Sequence, residues 1–504
     1  MSDPRSVVRR ILVVGAGAPA WLAAASLARL VASMSCSIDV LEVLDATSPC
    51  ASCTTLPSFQ RLLALLEVDE RALVARTAAT FHLGCSFVDW DRPGSRYFHG
   101  FGPVGARLDP SPFHQHWLRL REHGEAGDWD EHSVAAVAAR SERFARPSTD
   151  PRSVLSLMEY GFQVDGGRLA ALLQDFATSR GVASIGSVAT LEAELGTDER
   201  VVALQLDDGR RCAADLYIDC TPGARLLPRP VGGGFIDWSS WLPCDRVIGG
   251  TARLVDDPPP FTVAHAAPAG WLGRLHPRGR LDISYTYASR YEDDASARRR
   301  LEAMAPTGLS GSERTLDLLA GRPVAFWSGN CLRLPGAGID ALEGSALHLV
   351  QTGIARFLTL FPSSQMSTPD ADEYNRQTSE EYDRIRDLLI AHYALSGREE
   401  PFWRDRREVE LPPLLRHKLD LFRQSGRLAT ADPDHFTESS WVTVLLGQGL
   451  LPAAHDPLAD LADRQQVAVS LKQMRAAIAH SVDALPSHGD FLRMMTRESA
   501  GTSP

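Results

Sequence analysis

No stretch of this 504-residue chain is long and apolar enough to span a bilayer. Nor does it open on a charged segment followed by an apolar one, because the first apolar run, Ile11 to Val14, stops at glycines. The cytoplasm is therefore the expected location. Basic tracts are missing too, and a formal net charge of −11 argues against binding to a phosphate backbone. Neither nucleic acid nor membrane is an expected partner. The eight cysteines are scattered, and Cys50 with Cys53 forms the one C-x-x-C, without a second pair or histidines at zinc-ligand spacing. Reduced packing thiols and no metal are expected. Internal repeats and low-complexity linkers are lacking as well, so lobes would be interleaved rather than strung along the chain.

What the chain does have is ordinary core-forming composition, 44% hydrophobic and 23% charged. Its length exceeds that at which one core stops growing, so two packed lobes are expected. The segment ILVVGAGAPAW reads as a strand, a glycine turn and a helix start, with Gly15, Gly17 and Ala20 at the spacing that lets backbone approach a pyrophosphate. A helix through AWLAAASLARLVAS and a strand SIDVLEV follow. Glu42, near the end of that strand, stands where an acidic side chain accepts the ribose hydroxyls of an adenosine.

Further along, a helical segment covers Leu56 to Ala79, and strands cover His82 to Trp90 and Arg96 to Gly102. Asp165 is a plausible cap for a helix running through Ala177. VVALQLDDGRRCAADLYIDC reads as a hairpin with an Asp-Gly turn, then a strand delivering Asp219 and Cys220 to a loop. Residues 245–335 read as a strand-rich layer. From Glu343 onward the apolar spacing is helical, and the tail from Thr496 to Pro504 has loop composition. PFHQHWLRL alternates as a strand would, placing His114 and His116 on one face; no carboxylate or third ligand accompanies them, so packing and polar surface are expected.

ILVVGAGAPAW with its Trp21, ATFHLGCSFVDW, GFIDWSSWLPCDR and ALEGSALHLVQ together resemble the flavin-dependent tryptophan halogenase family over nearly the whole chain. The resemblance implies an α/β fold: an FAD-binding, Rossmann-like lobe with an interleaved strand-rich middle layer over residues 1–350, and a mainly helical C-terminal substrate lobe over 351–504. It implies FAD, supplied in reduced form by a separate flavin reductase, since no second nicotinamide fingerprint is present. Gly15, Gly17, Ala20, Trp21 and Glu42 would hold that cofactor. It also implies chloride or bromide, oxidised to hypohalous acid that travels to a small aromatic substrate. Family members are commonly homodimers.

In the family a lysine holds the hypohalous acid, and a glutamate orients it and helps remove the ring proton. Glu343 matches the glutamate, and His82 stands at the lysine's position. An imidazole can still donate a hydrogen bond to hypohalous acid, although it is less suited than an amine to a stable haloamine. Ser345 and Ala346 would offer backbone amides at a helix N-terminus to the halide. His99 and Phe101, in YFHGF, match a segment whose His and second Phe sandwich an indole.

Several positions depart from the family pattern. The flavin strap G-V-G-E-[AS]-T-[IL]-P corresponds to Cys50 through Pro57 and lacks both glycines and the acidic residue. W-x-W-x-I-P corresponds to Trp271 through His276, keeping one tryptophan, and this loss is expected to widen the passage. The tryptophan that follows a Phe in tryptophan-specific members is Thr437 here, after Phe436. A catalytically degenerate flavin- or ligand-binding relative and a flavin monooxygenase are the competing readings.

Overall fold

A computed structural model describes residues 8–31, 35–43, 52–197, 200–221, 226, 234–305, 307–334, 341–363, 366–429 and 436–500. The chain divides into two compact units, each drawing on three separated segments: 1–79, 164–247 and 313–383 in the first, 80–163, 248–312 and 384–504 in the second. The lobe boundary that the resemblance implies, between residues 350 and 351, falls inside the helix Ala346–Thr359. Among the described residues no helix is long and apolar enough to cross a membrane.

The first unit is built on a six-stranded sheet in the order Trp327–Ser328, Cys331–Arg333, Leu216–Cys220, Arg10–Gly15, Ser37–Val43, Ala183–Val188. Its central pairs are parallel, which explains why RILVVG is a nearly continuous apolar run: a parallel strand is covered on both faces. The helix Gly17–Leu30 is rich in alanine and buried along most of its length. Small side chains let it pack closely against Gly166–Thr178 and Ala346–Thr359. Asp165 caps the former as expected, its carboxylate accepting the Arg168 N–H at 2.9 Å. The Asp-Gly hairpin forms between Val201–Leu206 and Arg211–Cys212, with Gly209 at φ +84°.

In the second unit the strands Arg280–Tyr287, Gly270–Leu275, Thr262–Ala267, Gly84–Val88 and Arg96–Gly100 lie side by side in that order. The strand-rich reading of 245–335 is interrupted by a helix, Asp294–Ala303, capped by Asp293 through the Ser296 N–H. Only its cap marks it in the sequence, because its face is mostly charged. The strand reading of PFHQHWLRL is corrected: Phe113–Glu122 is a helix, buried on nearly every side from Phe113 to Leu120. His114 lies 2.8 Å from the Gly426 carbonyl and from Glu438, whereas His116 meets the Leu108 carbonyl at 3.1 Å. The two rings therefore serve separate contacts. The loop reading of the tail is corrected for residues 496–500, since the helix His488–Ala500, which buries Leu492 and Met495, continues past Met495; residues 501–504 lie outside the described residues.

The short strand Thr80–His82 pairs with Gly161–Asp165 and is pinned by residues distant in sequence. The Phe81 N–H donates to His488 Nε2 at 3.2 Å, and His488 Nδ1 donates to the Pro258 carbonyl at 2.7 Å, so this ring must be neutral to fill both roles. The Thr80 hydroxyl donates to the His276 carbonyl at 2.8 Å, and His276 Nδ1 donates to the Phe261 carbonyl at 3.2 Å. Burial, the largest cause, holds both imidazoles down to about 4. An unfolded histidine titrates near 6.5, so the unfolded chain takes up these protons first on acidification. Stability is then full above about pH 6.5 and lost toward about pH 4, at up to about 1.4 kcal/mol per pH unit for each ring. Urea midpoints measured across that range are expected to fall on acidification, and His488→Gln, which keeps an acceptor for Phe81, is expected to flatten the slope. Identical profiles for the two proteins would contradict the assignment.

Candidate functional site

The end of the first strand carries the most constrained backbone. Gly15 sits level with Glu42 on one side and Cys220 on the other. At φ +149°, a Cβ on it would lie 2.8 Å from the backbone of Cys220. Gly17, at φ +67°, faces open space. Ala16 precedes the helix in extended conformation and offers no side-chain cap, and the first turn holds no acidic residue. The turn thus presents backbone N–H groups and the positive end of a helix dipole to an anion, with room above Gly17 for it. These residues fit a dinucleotide pyrophosphate. Ala20 is fully buried and sets the packing of the helix. Trp21 is buried beside it, and its indole Nε1 donates to Glu42 Oε1 at 2.9 Å. That bond, which the sequence does not announce, fixes the carboxylate proposed for the ribose.

A second helix N-terminus lies in the same unit. Ala341–Glu343 forms a 3-10 turn, Gly344 takes φ +65°, and Ser345 leads into Ala346–Thr359. Glu343 is half-buried and precedes the helix instead of sitting in its first turn. A side chain at Gly344 would overlap the Thr54 hydroxyl, so this turn is pressed against the strap strand Ser52–Thr54. Ser345 is 1% exposed, and its hydroxyl has no hydrogen-bond partner among the described residues. A buried, unsatisfied O–H beside helical N–H groups is costly unless an acceptor arrives. In the strap, Cys50 and Ala51 lie outside the described residues. Burial pushes the Cys53 thiol up to about 12, which keeps it protonated and unreactive.

The second unit gathers the aromatic candidates. His82 is buried, its Nε2 3.3 Å from the Thr262 hydroxyl, and the Phe101 ring meets it edge-on at 5.0 Å. His99 lies opposite Cys85 and is also buried, its ring 6.1 Å from that of Phe436. His82 thus pairs with Phe101 and His99 with Phe436, each polar ring against an apolar one. Asp219 is buried on the other unit's sheet, where it accepts from the Thr221 N–H and hydroxyl and from the Leu226 N–H, a loop-fixing role. Pro222 to Arg225 lie outside the described residues. Among the described residues, no group of three His, Cys, Asp or Glu could hold a metal ion.

The tryptophan halogenase family profile matches residues 10–464. The chain belongs to that family. It is 34% identical to a flavin-dependent halogenase from Xanthomonas campestris, covering 97% of this chain and 98% of that one with a TM-score of 0.91. BrvH, a flavin-dependent halogenase from Brevundimonas, is 33% identical, with 98% and 100% coverage and a TM-score of 0.90. The tryptophan 6-halogenase ThaL of Streptomyces albogriseolus is 26% identical over 97% of this chain and 98% of its own. These likenesses also bear out the α/β fold with its dinucleotide-binding sheet.

Within the family, the altered positions come with local compensations. Gly273 stands where the second tryptophan of W-x-W-x-I-P would be, and a Cβ there would lie 2.8 Å from the Ser284 hydroxyl and 3.0 Å from the Trp271 ring. At Gly273 itself, Trp271 and Ser284 occupy the space next to the backbone. His276 replaces the proline, and its N–H, which proline lacks, donates to Gln163 Oε1 at 2.7 Å. Thr437 caps the helix Glu438–Gly447 by accepting the Ser440 N–H, a task tryptophan cannot perform. Gly17→Ala is expected to cost about 1 kcal/mol of backbone strain while weakening FAD binding about tenfold or more, read by flavin fluorescence quenching. Gly15→Ala, forced against Cys220, is expected to lower stability by about 2 kcal/mol or more. Unchanged FAD affinity in the first variant would remove the turn from the cofactor site.

Proposed function

We propose that this protein is an FAD-dependent halogenase, supplied with reduced flavin by a separate reductase, that halogenates an indole-like or other electron-rich aromatic through hypohalous acid. The observation that carries this reading is Ser345: a buried hydroxyl without a partner among the described residues, at a helix N-terminus, two residues from Glu343. A halide satisfies that donor and the neighbouring Ala346 amide together. Bound reduced FAD, with oxygen, supplies the oxidising equivalent that turns halide into hypohalous acid. Glu343 orients that acid and takes the ring proton. His82 donates a hydrogen bond to the oxygen. As the carbon–halogen bond forms, the halogen–oxygen bond breaks, and the departing hydroxide takes up one proton to leave as water, balanced by the ring proton that passes to Glu343. His99 and Phe101 flank the aromatic ring.

A second reading, a flavin-binding relative that does not turn over, is favoured by His82 in place of the lysine. The test combines the protein with FAD, a flavin reductase, bromide and indole, and reads product mass. Weak bromination is expected, raised by His82→Lys and reduced about a hundredfold or more by Glu343→Gln, in line with loss of a general base. FAD binding without brominated product in either the native protein or His82→Lys would establish the second reading. A product carrying oxygen in place of bromine would point to a monooxygenase.

A further inference from the structure

Ser58 closes the strap segment and leads into the helix Phe59–Leu65. Its hydroxyl lies 3.1 Å from His348 Nδ1. Gln351, one turn along the same helix as His348, donates its amide to the Ser58 carbonyl at 3.0 Å. On the far side, His348 Nε2 lies 3.4 Å from Glu381 Oε1. Glu381 Oε2 accepts from Arg356 Nη2 at 2.8 Å and from the Thr352 hydroxyl at 3.1 Å. Arg356 also donates to the Thr378 hydroxyl at 2.7 Å. Burial alone would raise the Glu381 carboxyl, but His348 and then Arg356 outweigh it and hold it near 2. The anchor is therefore a permanent carboxylate.

Thr54, in the middle of the strap, lies against Gly344, and Ser58, just past its end, is bonded to His348 and Gln351, so this segment meets residues 344–351 at two places. Buried ionic clusters are weak sources of stability, because desolvation offsets most of their attraction and apolar packing would serve as well. The alternative use of such a cluster is to enforce one arrangement. We propose that His348 is a positioning residue that couples flavin binding at the strap to halide binding at Ser345 and Ala346, by locking Ser58 to the helix that carries the halide site. This rests on the flavin and halide reading above. His348 lies only three residues from Ser345, so a strap held closed by flavin also holds the halide helix in register. By linkage, halide must then tighten flavin by the same factor that flavin tightens halide.

The test is FAD titration of the full chain by fluorescence quenching, with saturating sodium bromide and with sodium gluconate at matched ionic strength. In the native protein, bromide is expected to tighten FAD by about fivefold or more. His348→Phe, which keeps ring volume, and Ser58→Ala, which lies outside the ion cluster, are each expected to abolish that factor. Their FAD affinity without bromide should stay within about threefold of native, which is under 1 kcal/mol. A merely structural histidine would change melting temperature or FAD affinity and leave the bromide factor intact, and that result in Ser58→Ala would overturn the proposal even where His348→Phe folds poorly. A native protein that binds FAD with no bromide effect would overturn the coupling alone. One that binds no FAD would overturn the coupling and the flavin reading together.

Discussion

The first unit depends on a steric constraint: the Cys220 backbone passes so close to Gly15 that no side chain fits between them. Because Gly15 is level with Glu42 as well, three strand ends finish together and leave a shared edge at which the chain turns into a helix. In a parallel sheet this is the place where successive connections diverge to opposite faces and open a crevice. The alanine-rich helix that follows can lie tight on the sheet, and its uncapped N-terminus stays available to an anion. Ser345 repeats the same physics with a single glycine, Gly344, before it, as an uncapped helix start whose buried hydroxyl lacks a partner among the described residues.

The second unit relies on polar groups in a dry interior. The three-residue strand that carries His82 has too few ladder bonds to hold itself, and it is fixed through His488, His276 and Gln163, which lie far away in sequence. Such networks specify a single arrangement when every member is satisfied. The replacement of a proline by His276 adds a member to this network through an N–H that proline cannot supply. Together with crowded Gly273 and capping Thr437, it shows substitutions integrated into the packing instead of left as holes.

Legibility followed the range of the interactions involved. The glycine turn, the Asp165 cap and the Asp-Gly hairpin were all readable because each is a local rule acting over a few residues. The helix at Phe113–Glu122 was misread because Phe-His-Gln-His-Trp also fits a two-residue alternation, and the helix is buried on nearly every side, polar His114, Gln115 and His116 included, so no exposed face marks a helical period. Polar letters hid the helix Asp294–Ala303 and the end of the helix His488–Ala500 beyond Met495. In the candidate site, Glu343 and His82 were visible through family resemblance. The bond from Trp21 to Glu42 and the contacts linking Ser58, His348 and Glu381 join residues up to hundreds of positions apart, and single-sequence patterns carry no trace of them.

The indole of Trp21 has one further consequence. A surface glutamate normally samples many rotamers, and immobilising it when a nucleotide docks subtracts from affinity. Here the tryptophan side chain has already arrested Glu42 during folding. The entropic penalty is thus met once, when the polypeptide acquires its shape, and an adenosine entering the proposed cofactor site would find the acceptor waiting in place.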